Sequence, residues 1–443
     1  MRSSSSSLAF FISLCKTEFH KVAILISVIH SPSVNPPRSA SDDIRLRGKS
    51  AAVVAFSYYP SDVRVMRSAE ALFKAGMKVD LLCLQQHPQE PVREQINGVE
   101  VFRVCLKKRR GGKLAYAWQY FAFLAHSFFW LSKRRLTRRY DVVHVHNMPD
   151  FLVFCTGFAK LLGSRVVLDL HDPTPEVFIS VYGLDPDHWL VNLLRGTEKL
   201  SIWFADLVLT PNIAFRDLFV TRSCPSHKIE ILMNSPLESV FTLKEHPSEL
   251  LSVRDTSAGF VIMFHGTLVS RHGLHIAIEA VAKLRSRIPG LQFHIYGEET
   301  PYLTKEVMPL VAALGLQSQV HYFGEQPQEV IARAAGACDL GVVPNLRTVF
   351  TEINLPTRIF EYLALGKPVI VPKTRGILDY FDSESMLFFT GGDVGSLASR
   401  IQWIFDHPRE VGVVVRKGQE VYRRHLWKQE ERRLLDLVSQ LVR

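Results

Sequence analysis

No Cys-x-x-Cys pair occurs among the six cysteines of this 443-residue chain, which fall at 15, 83, 105, 155, 224 and 338. That scatter excludes a zinc ribbon and offers no regular disulfide framework, so a reduced, cytoplasmic interior is expected. Long apolar runs are missing too. The two near the N-terminus, 8–15 and 22–29, are separated by a polar stretch and each falls well short of the about 20 residues that cross a bilayer. No small-x-small cleavage site follows them, which argues against a signal peptide. Acidic residues are outnumbered, 43 Asp and Glu against 53 Lys and Arg, for a net charge of +10. Such an excess favours anionic partners: nucleic acid, acidic lipid or phosphorylated small molecules. No RNP-type motif or stacking-sheet pattern is present, so nucleic acid is not expected.

What is present is a large apolar fraction, 47%, with 22% charged residues. A chain of this length and composition buries a sizeable core and divides into two domains. Residues 1–49 begin with a serine tract, end in a Pro- and Ser-containing stretch, and read as a poorly ordered extension. From Ala51 onward, short continuous apolar segments alternate with segments of helical periodicity. That alternation predicts parallel sheets buried on both faces. It runs over 50–240, lapses over 241–258, and restarts over 259–408 before a helical tail at 409–443. The expected fold is therefore α/β, with two Rossmann-like doubly wound domains facing across a cleft, a linker and C-terminal helices. Ligands in such sheets bind beyond the carboxyl ends of the strands, which makes the interdomain cleft the expected site.

Two stretches of the second half carry chemistry. In 263–280, MFHGTLVSRHGLHIAIEA, a strand, a glycine loop and a helix follow one another. Gly266 and Gly273 let backbone approach a ligand, and the helix start offers free N–H groups. Arg271 and His272 sit where a cation opposes the helix dipole, which suits an anion lying between them. A solvated basic turn is the alternative. The loop has neither the Gly-x-Gly-x-x-Gly nor the Walker lysine pattern. In 354–371, NLPTRIFEYLALGKPVIV, Pro356 suits a first helical position, and Arg358 and Glu361 fall one turn apart on one face. An arginine there can grip a diphosphate bidentately, and a carboxylate can accept two hydrogen bonds from a vicinal diol such as ribose. A plain Arg358–Glu361 surface pair fits the same spacing.

Together these stretches resemble the nucleotide-binding half of GT-B glycosyltransferases, specifically retaining family 4 (group 1). The nearest branch reads Leu-Pro-Thr-Lys-x-Phe-Glu-Tyr, and this chain has LPTRIFEY at 355–362. The resemblance spans roughly 50–410 and takes in HVHNMPDF (144–151), VVLDLHDPTPE (166–176), VLTPN (208–212) and ILMNSP (231–236). It implies that Glu361 holds the donor ribose. The first glutamate of the family's pair is absent: its slot is Ile353, so Glu352, Ile353 and Asn354 become the donor-sugar candidates. Thr267 and His272 stand where the family often carries Arg and Lys, which passes the phosphate charge to Arg271 and Arg358. The implied donor-nucleotide set is Gly266, Thr267, Arg271, His272, Arg358 and Glu361. His171 is expected to reach the donor sugar and to complete a catalytic set with Arg271 and Arg358. His146, Asp172 and Glu176 are the acceptor-side candidates.

The expected function is transfer of a sugar, with retention, from a nucleotide diphosphosugar to a hydroxyl acceptor, lipid-linked or a glycan precursor. The N-terminal domain takes the acceptor and the C-terminal domain the donor. No Asp-x-Asp pair stands beside the phosphate loops, so neither metal nor cofactor is expected. A nucleotide-sugar 2-epimerase of the same fold, or a non-catalytic sugar-nucleotide or membrane-surface binding protein, are the other readings. Finally, residues 106–139 bracket an aromatic stretch with basic clusters. An amphipathic helix resting on anionic lipid is expected there, placing a cytoplasmic protein on the inner face of the membrane. A core helix with a solvated basic rim is the other reading.

Overall fold

The computed structural model describes residues 46–106, 113–244 and 259–443. Nearly all of the extension expected over 1–49, most of the linker expected over 241–258 and the basic residues at 107–112 lie outside the described residues. The first sheet comprises β1 (Ser50–Tyr58), β2 (Lys78–Leu84), β3 (Arg93–Ile96), β4 (Val99–Val104), β5 (Val142–His146), β6 (Arg165–Asp169), β7 (Leu207–Thr210) and β8 (Ile229–Ile231). Their spatial order is β3-β4-β2-β1-β5-β6-β7-β8. All neighbours run parallel except β3 and β4, a hairpin turned at Asn97-Gly98, where both residues have positive φ. The second sheet holds β9 (Phe260–His265), β10 (Leu291–Tyr296), β11 (Val320–Tyr322), β12 (Leu340–Val342), β13 (Val369–Pro372) and β14 (Leu387–Phe389). It is wholly parallel, ordered β11-β10-β9-β12-β13-β14.

Alternation along β1 explains why its sequence is apolar throughout. Ala51 and Val53 are buried with Val65 and Leu72 of the helix Val63–Lys74. Ala52 and Val54 face the other way, onto Phe123 and Leu131 of the helix Lys113–Thr137. Each large side chain so buried contributes about 1.5–3 kcal/mol. The helix Pro408–Arg423 packs Val411 and Val415 into the second domain's core. After a short turn, the helix Trp427–Leu441 crosses to the first domain and buries Leu434, Val438 and Leu441 beside Val65 and Leu72. Arg67 fastens that crossing, donating to Asn234 Oδ1 at 2.7 Å with its guanidinium 4.6 Å over the Trp427 ring. The Met233 N–H donates to Glu430 Oε2 at 3.0 Å. Both chain crossings between the domains are thereby stitched to the same patch.

Candidate active site

The glycine loop starts where β9 stops. Gly266 has φ +122°, and a Cβ there would come within 3.1 Å of Arg358 Nη2. Gly273 has φ +65° and opens the helix Leu274–Leu284; a Cβ there would sit 2.1 Å from the Pro344 carbonyl oxygen. Positive φ and these contacts favour glycine at both positions; the Gly266 N–H donates to the Tyr296 carbonyl oxygen at 3.1 Å and the Gly273 N–H to that of Ser270 at 2.9 Å. His272 is buried, with Nδ1 2.7 Å from the Thr267 carbonyl oxygen. Burial, and after it the charge of Arg358, push its pKa down to about 3. His272 is thus a neutral clasp within the loop and carries no phosphate-binding charge. Thr267 lies exposed at the loop's surface.

Arg358 opens the helix Arg358–Ala364, two residues later than the preference of Pro356 suggests. Its guanidinium lies 4.6 Å over the Phe264 ring, and its Nη1 is buried with no hydrogen-bond partner. Arg271 Nε is in the same condition, with the guanidinium 5.9 Å over the Phe350 ring. Burial lowers the pKa of both, and the charge of Arg271 adds to the strain on Arg358. Two half-buried guanidiniums that repel each other, each with one buried N–H lacking a partner, can receive an anion.

Glu361 answers the alternative left open by the sequence. Among the described residues it makes no ion pair with Arg358; its Oε2 lies 3.3 Å from His265 Nε2. Burial pushes the Glu361 carboxyl up to about 7 against the pull of Arg358. Burial and then Arg358 push His265 down to about 3. The carboxyl group borders an interdomain cavity of about 180 Å³ whose first-domain wall includes Arg64 and Arg67. Helix geometry puts Arg358 and Glu361 on one face, but their side chains turn to different neighbours.

The first domain meets this from the ends of β5 and β6. His146 Nδ1 lies 2.9 Å from His171 Nε2, and His144 Nε2 3.3 Å from Asp169 Oδ2. The register pairs His146 with Asp169 across the two strands, which is why these groups meet. Burial opposes ionisation of Asp169, yet His171, His144 and His146 hold its carboxyl well below the usual range. Burial pushes His171 down to about 4, with Asp169 opposing. The ligand atoms of His144, His146 and Asp169 lie within 4.8 Å of one another, a donor set of the kind that can hold a metal ion. The His171 N–H donates to Asn147 Oδ1 at 2.8 Å, and Asn147 Nδ2 donates to Asp150 Oδ1 at 2.9 Å, so the loop bearing His171 is rigidly placed. Asp172 is pushed up to about 6 by burial, against the pull of Arg64 and, across the cleft, Arg271.

The remaining candidates point elsewhere. Glu176 accepts from Arg222 at 2.6 and 3.1 Å, sharing that guanidinium with buried Glu198, so it is tied into the body of the first domain and not to His171. Glu352 accepts from Arg347 Nε at 2.9 Å and from the Arg375 N–H at 3.2 Å, which occupies both its oxygens. Ile353 and Asn354 bring carbonyl oxygens within 2.4 and 2.7 Å of where a Cβ on Gly376 would stand, a tight backbone crossing. Residues not singled out from sequence are Asp62, Arg64, Asp169, His265 and Asn345. Asp62 caps the helix Val63–Lys74 and holds Arg64 Nε at 3.1 Å, and Arg64 lines the cavity. Asn345 Oδ1 is buried without a partner just past β12. The signal for Asp169 was its strand-end position two residues before His171, hence on the same face.

The two domains touch directly around this site. Ser180 Oγ lies 3.1 Å from Thr348 Oγ1, and the Ile213 N–H donates to Tyr380 Oη at 3.0 Å. Family comparison resolves what kind of cleft this is. The glycosyl transferase 4-like domain model matches residues 61–235, and the glycosyl transferases group 1 model matches 259–407. The chain's first domain is thus a glycosyl transferase 4-like domain and its second a group 1 glycosyltransferase domain. This glycosyltransferase is similar in structure to sucrose-phosphate synthase from Thermosynechococcus elongatus, with a TM-score of 0.68 at 18% identity over 87% of this chain and 97% of that one. HepE from Anabaena in complex with UDP-glucose gives 0.63 at 18%, over 87% and 98%. WaaG, a glycosyltransferase involved in lipopolysaccharide biosynthesis, gives 0.64 at 15%, over 87% and 98%. These likenesses establish the GT-B fold. No curated protein sequence matches the chain significantly.

Proposed function

We propose that this glycosyltransferase moves a sugar from a nucleotide diphosphosugar to a hydroxyl acceptor, lipid-linked or a glycan precursor, with retention at the anomeric carbon. The observation that carries this reading is the pair of half-buried guanidiniums, Arg271 and Arg358, each with a buried N–H that lacks a partner, beside a glycine loop. The departing nucleoside diphosphate develops negative charge as its bond to the sugar breaks. Two preorganised cations and the N-terminus of the helix Leu274–Leu284 stabilise that charge without reorganisation. They supply positive charge matched to a diphosphate, which is the basis for proposing a metal-independent reaction. Glu361 receives the ribose hydroxyls. His171, neutral at physiological pH, faces the sugar from the first domain. HepE, of the same fold, has been seen with UDP and with UDP-glucose. A uridine nucleotide is therefore the first donor to try.

Retention in a single displacement requires the acceptor oxygen to arrive on the face that the diphosphate leaves. The breaking bond's electron pair goes to the diphosphate oxygen, which is then placed to take the acceptor's proton. A thermal-shift panel of UDP-, GDP- and ADP-sugars identifies the donor class. Nucleoside diphosphate release is then measured with and without a hydroxyl acceptor, and the product's anomeric configuration is read by NMR. Acceptor-dependent release with the donor's configuration kept is expected. Acceptor-independent conversion to an epimer, or binding without any turnover, overturns the reading.

A further inference from the structure

The helix Trp189–Phe204 carries large apolar residues on its solvent side. Trp189 and Trp203 are 62% and 51% exposed, and Leu193 and Leu200 lie on the same stripe. Lys199 stands exposed within it, and the helix's one acidic residue, Glu198, is buried and held by Arg222 and Ser223. The helix Lys113–Thr137 repeats the arrangement. Trp118 and Phe129 are each 69% exposed, Phe121 lies on the same outer face, and Lys133 and Arg135 follow. It contains no acidic residue at all.

Both helices pack on the same short segment, Asp150–Thr156. Phe151 stacks on Phe121 at 5.4 Å, and Phe154 meets Phe204 edge-on at 5.3 Å. They therefore lie on one side of the first sheet. Each leads by its C-terminal end into a parallel strand, β5 or β7, so each begins near the strands' carboxyl edge, where the cleft opens. Phe56, near the end of β1, confirms this by packing against Tyr120 and Phe123. Trp118 and Trp189 thus stand at the cleft end of the two exposed stripes.

We propose that these two helices form a single docking surface for an anionic lipid bilayer, with the cleft mouth turned toward it. Tryptophans with exposed cations among them are what an interfacial surface presents, and the absence of exposed carboxylates on either helix selects negative headgroups. A second copy of the chain would bring like charges face to face, which disfavours self-association here. No helix among the described residues is long and apolar enough to cross a membrane, so the contact lies on the bilayer. This inference stands on the surface alone and is independent of the donor chemistry.

The test is co-sedimentation of the full chain with vesicles of phosphatidylcholine, with and without phosphatidylglycerol, at low and high salt. Two paired variants, Trp118→Ser with Phe129→Ser and Trp189→Ser with Trp203→Ser, are compared with wild type. An unchanged circular-dichroism spectrum and melting temperature certify that each still folds. Binding to the anionic vesicles alone, lowered about tenfold or more by either pair and about fivefold by Lys199→Gln, is expected. Vesicle binding untouched by the Trp189/Trp203 pair overturns the two-helix surface. No preference for the anionic lipid, or a wild-type dimer that the variants dissolve, overturns the membrane as its partner.

Discussion

Glu361 is in an unusual physical state for a glutamate. Its carboxyl is 16% exposed and held near 7, against an ordinary value of 4.5. A group whose folded pKa is raised contributes stability that is complete below about 4.5 and lost as pH rises through 7, here on the order of 3 kcal/mol. Glu361→Gln removes that loss. The variant's melting temperature should exceed wild type by a few degrees at pH 8 and match it at pH 5, as read by calorimetry of the apo protein. Arg358→Ala should likewise leave the fold intact while weakening nucleoside diphosphate binding about 100-fold, because it deletes a charge-assisted pair of donors. Arg358→Lys should recover only part of that affinity, since an ammonium lacks the planar fork. Titration calorimetry separates the three proteins, and equal affinities would remove Arg358 from the phosphate site.

At the scale of elements, the loop that follows β9 depends on its glycines. Gly273→Ala puts a methyl 2.1 Å from the Pro344 carbonyl oxygen at φ +65° and should cost several kcal/mol, about 2–4, in chemical denaturation. Gly163→Ala is the control: its φ is +89°, but open space surrounds it, and about 1 kcal/mol is expected. Glycine loop and helix start were both legible in the sequence because strand, glycine and helical period follow one another there. The parallel sheets were legible for a similar reason, since strands buried on both faces read as unbroken apolar runs. The β3–β4 hairpin was not read, although Asn97-Gly98 between two strands is a strong turn signal. Direction was the harder problem. Sequence placed Glu176 on the acceptor side, by resemblance, but could not say that its side chain turns to Arg222, 46 residues away along the chain. It likewise placed Arg358 and Glu361 on one face without deciding between a mutual pair and two separate jobs. Only packing around Phe264 and His265 separates them.

At the scale of the molecule, two domains are joined by a strap. The helix Trp427–Leu441 returns from the second domain and completes the first domain's core, with Leu434 fully buried. Leu434→Ala should cost about 2–5 kcal/mol, and the loss should fall on the first domain. In scanning calorimetry, its transition should separate to lower temperature from that of the second domain. A single unsplit transition would mean that the strap does not divide the load in this way. The same joint lets Arg64, Arg67 and Asp172 of one domain face Glu361 and Arg271 of the other. The cleft is thus lined by both halves. In the proposed donor complex a nucleoside diphosphate lies between Arg271 and Arg358 with its ribose on Glu361. The most direct measurement is the affinity of a ribonucleoside diphosphate against its 2′-deoxy counterpart, in wild type and in Glu361→Ala. Wild type should prefer the ribonucleotide about tenfold or more, and Glu361→Ala should bind both weakly and alike. Equal affinity for the two nucleotides in wild type would contradict the account.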